Sequence, residues 1–231
     1  MIMKKLSVTM TRKEKLLGWI YYPLQLLVIP VLVSLINALA GYPLNEATLN
    51  VVYFGVNFLC VGLIFFRFLK ENAKVALSFP LRCLSSAAFG MVLYWGLSYA
   101  VQIVIVVVSP DFFNINDAAI GSMVQENYTL MVIGTVLLVP LAEETLYRGL
   151  MFGQLYNRSP LAAYVVSVCV FAAVHVVGYI GQYAPLQLCL CFLQYLPAGV
   201  AMGWAYARAN SIWSPILMHI TFNLIGMAFM R

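Results

Sequence analysis

The stretch YTLMVIGTVLLVPLAEETLYRGL, residues 128–150, decides how the whole sequence is interpreted. Its first half is an almost unbroken apolar run, and Glu143, Glu144 and Arg148 follow directly. Such a run favours a helix within a lipid bilayer, where a carboxylate costs free energy unless it is paired or has a function. The three charges therefore indicate either a buried ion pair or a functional site inside a membrane protein.

The composition supports a membrane protein. Of the 231 residues, 63% are hydrophobic and 9% are charged, whereas soluble domains have about 45–50% apolar and about 25% charged residues. The net charge of +5 would suggest nucleic acid as a partner of a soluble protein, but the positive-inside rule explains it here. We predict an all-α fold, a polytopic transmembrane helical bundle that forms one membrane domain over residues 1–231, with membrane lipids and no nucleic acid as partners.

The apolar segments and the charges between them predict the topology. Before the first span, Thr11 to Glu14 fits a capping box that would start a helix. The polar segment 110–127 is expected to be a connection with at most a short surface helix. The seven candidate spans are 18–40, 49–69, 83–108, 128–153, 160–178, 186–207 and 212–230.

Basic residues concentrate on one side of these spans. Twelve of the 13 Lys and Arg residues, from Lys4 to Arg208, fall on the side of the N-terminus, and Arg231 falls on the other. The positive-inside rule then predicts a cytoplasmic N-terminus and an external C-terminus.

Six polar residues stand out within the fourth, fifth and seventh predicted spans. Residues four apart share a helix face, so Glu144 can pair with Arg148, while Glu143 is rotated by about 100° and points elsewhere. The depth of His219 matches the others only if the connection 209–214 dips into the protein. The set is Glu143, Glu144, Arg148, His175, His219 and Asn223, and it includes both histidines of the chain.

The chemistry of this set fits hydrolysis. A buried Glu143 could act as the base for a water molecule, His175 could hold the same water or relay its proton, and His219 with Asn223 could donate to an oxyanion. Arg148 would hold Glu144. Simpler explanations remain: Glu144 and Arg148 could be only a packing device, and Asn223 an interhelical clasp.

A metal is not required by this scheme, so we predict no cofactor. Zinc remains an alternative, because Glu143, His175 and His219 form a usual ligand set for that metal. Against zinc, the HExxH helix that lets two histidines hold one ion is absent.

Three motifs resemble one known family. EETLYR fits Glu-Glu-x-x-x-Arg, FAAVH fits Phe-x-x-x-His and HITFN fits His-x-x-x-Asn. Together and in this order they are similar to the CAAX-protease and bacteriocin-processing family of intramembrane proteases (CPBP, also called Abi), over a motif-bearing core at residues 128–230.

The resemblance implies a glutamate-dependent endopeptidase within a helical bundle. In it, Glu143 is the base with Glu144 and Arg148 as its partners, His175 is a second catalytic group, and His219 lies with Asn223 on the oxyanion side. The family is described both as metal-dependent and as glutamate-only, and the residues favour the latter.

The expected substrate is a membrane-associated peptide or protein. The short loops favour a multi-pass protein of the bacterial cell membrane that processes peptides, in pheromone maturation or bacteriocin immunity, over one that acts on prenylated proteins. Two other functions remain open: a proton-coupled transporter with a relay through Glu143, His175 and His219, and a non-catalytic bacteriocin-immunity protein.

Overall fold

A computed structural model describes residues 5–230, and within them nine helices and no β-strand confirm the predicted all-α bundle. Lys4 and Arg231, which enter the predicted charge distribution, lie outside these residues. The helices are α1 (Arg12–Leu39), α2 (Glu46–Ile64), α3 (Phe66–Ser78), α4 (Pro80–Val108), α5 (Ile115–Glu126), α6 (Tyr128–Tyr156), α7 (Pro160–Val174), α8 (Pro185–Ala209) and α9 (Trp213–Phe229).

Five of the described helices, α1, α2, α4, α6 and α8, are long and apolar enough to cross a bilayer. The shorter α7 and α9 are apolar as well, so each of the seven predicted segments contains an apolar helix. Large apolar side chains such as Leu39, Leu63 and Val107 are exposed on the outside of the bundle, where lipid would surround them. The chain is a multi-pass membrane protein.

The predicted second span, 49–69, is wrong at its end. The helix stops at Ile64, and α3 starts after the fully buried Phe65, whose backbone is not helical. The following residues include Arg67, Lys70 and Lys74, which cannot remain in hydrocarbon without partners. The chain therefore turns into α3, which buries Phe68 and Leu69 on one face and exposes its basic residues on the other.

The capping box at the start of α1 is confirmed, and it also connects two helices. The Glu14 backbone amide donates to the Thr11 side-chain oxygen, and the Thr11 amide donates to the Glu14 carboxylate at 2.7 Å. The second Glu14 oxygen accepts a bond from the Phe68 amide, 2.8 Å away in the first turn of α3. One carboxylate thus satisfies free amides at two helix starts.

The predicted connection 110–127 consists mainly of helix α5, which covers one end of the bundle. Asn114 caps α5 by accepting a bond from the Asp117 amide. Its own amide donates to Gln194 on α8 at 2.7 Å. The cap therefore also fixes the start of α5 against a membrane-spanning helix.

Helix α6, which carries the opening stretch, is irregular. It contains two π-helical segments, Ile133–Leu138 and Thr145–Phe152, with a short α-helical segment, Val139–Glu144, between them. Pro140 lies in this middle segment and lacks the amide that a regular helix would use. Such π segments are frequent at functional sites, and these two flank the paired glutamates.

The connection before α9 is buried, as the depth argument for His219 requires. Ser211 and Ile212 are fully buried between α3 and the bundle. The Ile212 amide donates to the Asn72 side chain at 2.9 Å, and the Ser211 hydroxyl donates to the Asn72 carbonyl at 2.9 Å. Helix α9 therefore starts inside the protein, which moves His219 deeper than its short distance from Pro215 suggests.

Candidate active site

A cavity of about 540 Å³ lies inside the bundle, and four of the six predicted site residues line it. Its walls come from seven of the described helices, α1, α2, α4, α5, α6, α8 and α9, and from the end of α7. A volume of this size is within the usual range of ligand pockets. The four lining residues are Glu143, His175, His219 and Asn223.

The two adjacent glutamates face different surroundings, as the helical geometry predicts. The Glu143 side chain is 27% exposed and lines the cavity. The Glu144 side chain is 0% exposed and lies behind the cavity wall. Glu143 is therefore the carboxylate that a molecule in the cavity would meet.

Glu144 connects two further predicted residues through one oxygen atom. Its Oε1 accepts a hydrogen bond from Arg148 Nη1 at 2.9 Å and lies 2.9 Å from His219 Nδ1. The Arg148 side chain is fully buried, and its guanidinium lies 4.3 Å from the centre of the Phe171 ring, as in a cation–π contact. These contacts join α6, α7 and α9 behind the cavity.

His219 lies between the two glutamates. A carboxylate can only accept, so Nδ1 is the nitrogen that donates to Glu144. The other nitrogen, Nε2, is 4.0 Å from Glu143 Oε2 at the cavity. The hydrogen bond to Glu144 thus fixes the ring with Nε2 directed toward the reactive end of the site.

His175 follows the last residue of α7 and belongs to the same cavity. Its Nδ1 is 2.7 Å from the Phe171 carbonyl, and its ring stacks on Tyr195 with centroids 4.2 Å apart. The carbonyl can only accept, so Nδ1 carries the proton and Nε2 of the neutral ring keeps a lone pair. Within residues 5–230 no hydrogen bond joins His175 to Glu143, so a molecule between them would have to connect them.

Asn223 has a structural contact in addition to its place at the cavity. Its Nδ2 donates to the Thr135 carbonyl at 2.6 Å, in the first π-helical segment of α6. This bond is the interhelical clasp that the sequence left open as an explanation. The amide has a second N–H donor besides the one on Thr135, so the clasp does not use its full donor capacity.

Sequence reasoning missed three residues that shape the site. Phe171 was noted only as part of a motif, although its ring contacts Arg148 and its carbonyl holds His175. The four-residue spacing to His175 was the available signal. Tyr195 and Asp117 also line the cavity, but they carried no motif, and Asp117 lies in the segment that was expected to be a connection.

The ligand set proposed for zinc is not assembled. Within residues 5–230, no three His, Cys, Asp or Glu side chains come close enough together to hold one metal ion. Glu143 and His219 approach each other, but His175 is held separately by Phe171 and Tyr195. The residues therefore do not fit a metal in this arrangement, and no step below involves one.

One family model and two curated relatives match part of the chain. Residues 125–225 match a family described as type II CAAX prenyl endopeptidase Rce1-like. A Bacillus subtilis protein named "Putative membrane peptidase YdiL" is 31% identical over 109 residues, which cover 47% of this chain and 40% of that protein. The Lactococcus lactis UPF0177 protein YxdF is 30% identical over 90 residues, 39% of this chain and 44% of that protein.

The second half of the chain therefore resembles CAAX-type membrane endopeptidases, the resemblance that its motifs predict. All six predicted site residues fall within the matched segment 125–225. The matches span less than half the length of either relative, so they support the family and not the activity of a whole relative. No solved structure has significant similarity to the chain.

Proposed function

We propose that the protein is an intramembrane endopeptidase that hydrolyses a peptide bond of a membrane-associated peptide or protein. The observation that carries this proposal is that the two adjacent glutamates lie in different surroundings. Glu143 lines a cavity inside the bundle, whereas Glu144 is buried behind it and bound to both Arg148 and His219. A carboxylate that lines a cavity and is not used in an ion pair with Lys or Arg is the group that general base catalysis needs.

Glu143 is the proposed base for the attacking water. Its Oε2 accepts no hydrogen bond from residues 5–230 and so keeps its acceptor capacity, and the exposed part of the side chain, 27%, gives the carboxylate access to the cavity. The water oxygen attacks the carbonyl carbon while Glu143 takes one water proton. His175 Nε2, which has a free lone pair in the neutral ring, can accept a hydrogen bond from the same water and orient it.

His219 is the proposed donor to the oxyanion. With a proton on Nε2, it can donate to the negative oxygen of the tetrahedral intermediate, while Glu144 stabilises the positive ring through Nδ1. The free N–H of Asn223 can assist at the same cavity. When the C–N bond breaks, Glu143 returns its proton to the leaving amine, and the base is ready for another water.

The substrate class follows from the surroundings of the site. The site lies inside a bundle of apolar helices, which favours a substrate that is already bound to the membrane. The matched relatives come from Bacillus subtilis and Lactococcus lactis, which supports a bacterial cytoplasmic membrane. Processing of a bacterial peptide, in pheromone maturation or in bacteriocin production and immunity, is therefore our proposal in preference to cleavage of a prenylated protein.

The proposal is tested by peptidomics of membranes from cells that express the protein or its Glu143→Gln variant. Peptides produced only by the unchanged protein are then synthesised and used with purified protein. Loss of a general base lowers the rate by about 10²–10⁴-fold, so Glu143→Gln should reduce cleavage by that factor. Glu71→Gln, which changes an exposed carboxylate of α3, is the matched control and should have no effect.

Two results would contradict the proposal. Full activity of Glu143→Gln on an identified substrate would exclude Glu143 as the base. Loss of cleavage on dialysis against a zinc chelator, with recovery on added zinc, would replace the glutamate-only mechanism by a metal-dependent one. We expect cleavage to be unchanged by the chelator.

A further inference from the structure

Polar residues from the start of α5 line the part of the cavity around Tyr195, whose ring stacks on His175. Asn114, Asn116 and Asp117 line this part, with Gln194 and Tyr195 of α8 beside them. None of them belongs to the motifs discussed above. The cavity lining therefore includes a polar group from α5 and α8, here called the α5 end, in addition to Glu143 and His219.

Apart from His175 and His219, the charged side chains that line the cavity are of one sign. Glu143 and Asp117 are its carboxylates, and neither lysine nor arginine occurs among the described residues that line it. The buried Arg148 is not one of the lining residues, and its charge is matched by Glu144. A cleft with one sign of charge between apolar walls concentrates its field and attracts the opposite charge.

Asp117 forms no ion pair with a lysine or arginine within residues 5–230. The ion pairs found within residues 5–230 do not include it, although it is exposed to the cavity. Burial by the surrounding protein raises the pKa of the Asp117 carboxyl, and nearby His175 and the Tyr195 hydroxyl partly oppose this rise. An incoming cation would provide the missing charge partner.

Aromatic rings complete the surroundings of this end. Tyr94 and Phe222 form a tilted pair with centroids 4.2 Å apart, and Tyr195 stacks on His175. These rings line the cavity together with Tyr179. Ammonium and guanidinium groups bind favourably over such faces, in addition to any contact with a carboxylate.

We infer that the α5 end of the cavity is a subsite for a positively charged group of the substrate, with Asp117 as its charge partner. The group is an ammonium or guanidinium, from either a Lys or Arg side chain or a free peptide N-terminus. This inference rests on the proposed peptidase function and adds a substrate preference to it. Peptides with a cation a few residues from the scissile bond are bound and cut in preference to otherwise identical neutral peptides.

Asp117 also has a structural role, which the test must separate from binding. It lies in the first turn of α5, where negative charge stabilises a helix. Asp117→Glu keeps the charge and this role, whereas Asp117→Asn removes the charge and keeps the size. Asp111→Asn is the matched control, because Asp111 is exposed next to α5 but does not line the cavity.

The experiment uses fluorescence-quenched apolar decapeptides with one lysine, placed at each position in turn, and the same peptides with norleucine instead. Each peptide is made with a free and with an acetylated N-terminus, which distinguishes a side-chain cation from a terminal one. For the best lysine peptide we expect kcat/KM to exceed that of its norleucine counterpart by about tenfold, as one ion pair in a partly desolvated cavity would provide. Asp117→Asn should remove this difference, and Asp117→Glu and Asp111→Asn should keep it.

Binding is measured separately, in the Glu143→Gln background, by fluorescence polarisation of the same peptides. If the lysine peptide binds more tightly and Asp117→Asn removes this preference, the subsite is supported. If the protein in addition cleaves no peptide, the peptidase proposal is wrong but the subsite remains supported. If cleavage depends on Glu143 but Asp117→Asn lowers both peptides equally, the subsite is wrong and the peptidase stands. A wild-type protein without preference for any cationic peptide would also overturn the subsite.

Discussion

At the scale of single residues, the Glu144 carboxylate is the centre of the buried polar network. Its Oε1 contacts both Arg148 and His219, while its Oε2 has no partner within residues 5–230. Arg148 likewise keeps two nitrogens without a hydrogen bond in that part of the chain. A buried pair of this kind is costly to break, because the remaining charge loses both its partner and its water.

Removal of one partner of the Glu144–Arg148 pair should therefore destabilise the protein more than removal of both. Glu144→Leu leaves Arg148 charged and unpaired, and we expect it to lower the free energy of unfolding by about 3–5 kcal/mol. The double variant Glu144→Leu with Arg148→Met should recover part of that loss, although both variants are inactive. Thermal unfolding in detergent measures the effect. A double variant no more stable than Glu144→Leu would show that the ion pair does not dominate this region.

The sequence predicted part of this network. The four-residue spacing was enough for the Glu144–Arg148 pair and for the separate direction of Glu143. It was not enough for the contact between Glu144 and His219, which lie 75 residues apart. That contact depends on the buried connection between α8 and α9, which is hydrogen-bonded to Asn72. A local sequence pattern does not indicate whether such a loop is buried.

At the scale of helices, close packing positions the histidine-bearing elements. Gly199 of α8 faces Val168 of α7, and a Cβ atom built on Gly199 would lie 2.8 Å from Val168 Cγ1. Val168 is buried and β-branched, so it has few other rotamers to adopt. The absence of a side chain at Gly199 is therefore what lets α7 and α8 approach each other.

We expect Gly199→Ala to destabilise the protein by about 1–3 kcal/mol through overpacking. It should also lower peptide cleavage, because His175 directly follows α7 and Tyr195 belongs to α8. Gly96→Ala in α4 is the matched control, since a Cβ atom there would meet nothing within 4 Å. Alanine in place of a mid-helix glycine stabilises by about 0.5–1 kcal/mol. Equal melting temperatures for the two variants would contradict this packing argument.

The helices themselves followed from the apolar runs, but their irregularities did not. The length of the apolar runs located an apolar helix in each predicted span. It did not indicate the break at Phe65 or the two π-helical segments of α6, because these depend on which backbone groups find partners in the packed bundle. Pro140 was the single local sign that α6 would be irregular.

At the scale of the whole molecule, the two ends of the bundle differ in charge. Basic side chains of α3 are exposed at the end of the bundle where Asn72 bonds to Ile212. Asp111 and Asp117 belong to the other end, with α5. The positive-inside rule predicts that the α3 end is cytoplasmic. This orientation would place the proposed cation subsite on the external side of Glu143.

Cysteine labelling tests the orientation. In a variant without the five native cysteines, Lys74→Cys and Asp111→Cys each place one exposed thiol at an opposite end. A membrane-impermeant maleimide applied to intact cells should label Asp111→Cys and not Lys74→Cys. Both should react after the cells are broken. The reverse pattern in intact cells would invert the predicted topology.

The size of the cavity limits what form a substrate can have when it is cut. One turn of an α-helix, about 5.4 Å long and about 10–12 Å wide, fills roughly 500 Å³, and the cavity holds about 540 Å³. A membrane-spanning segment of about 20 residues would thus reach Glu143 with only a few residues at a time. A substrate of the proposed peptidase would therefore be cut within the few residues that enter the cavity, while the rest of the segment stays outside it.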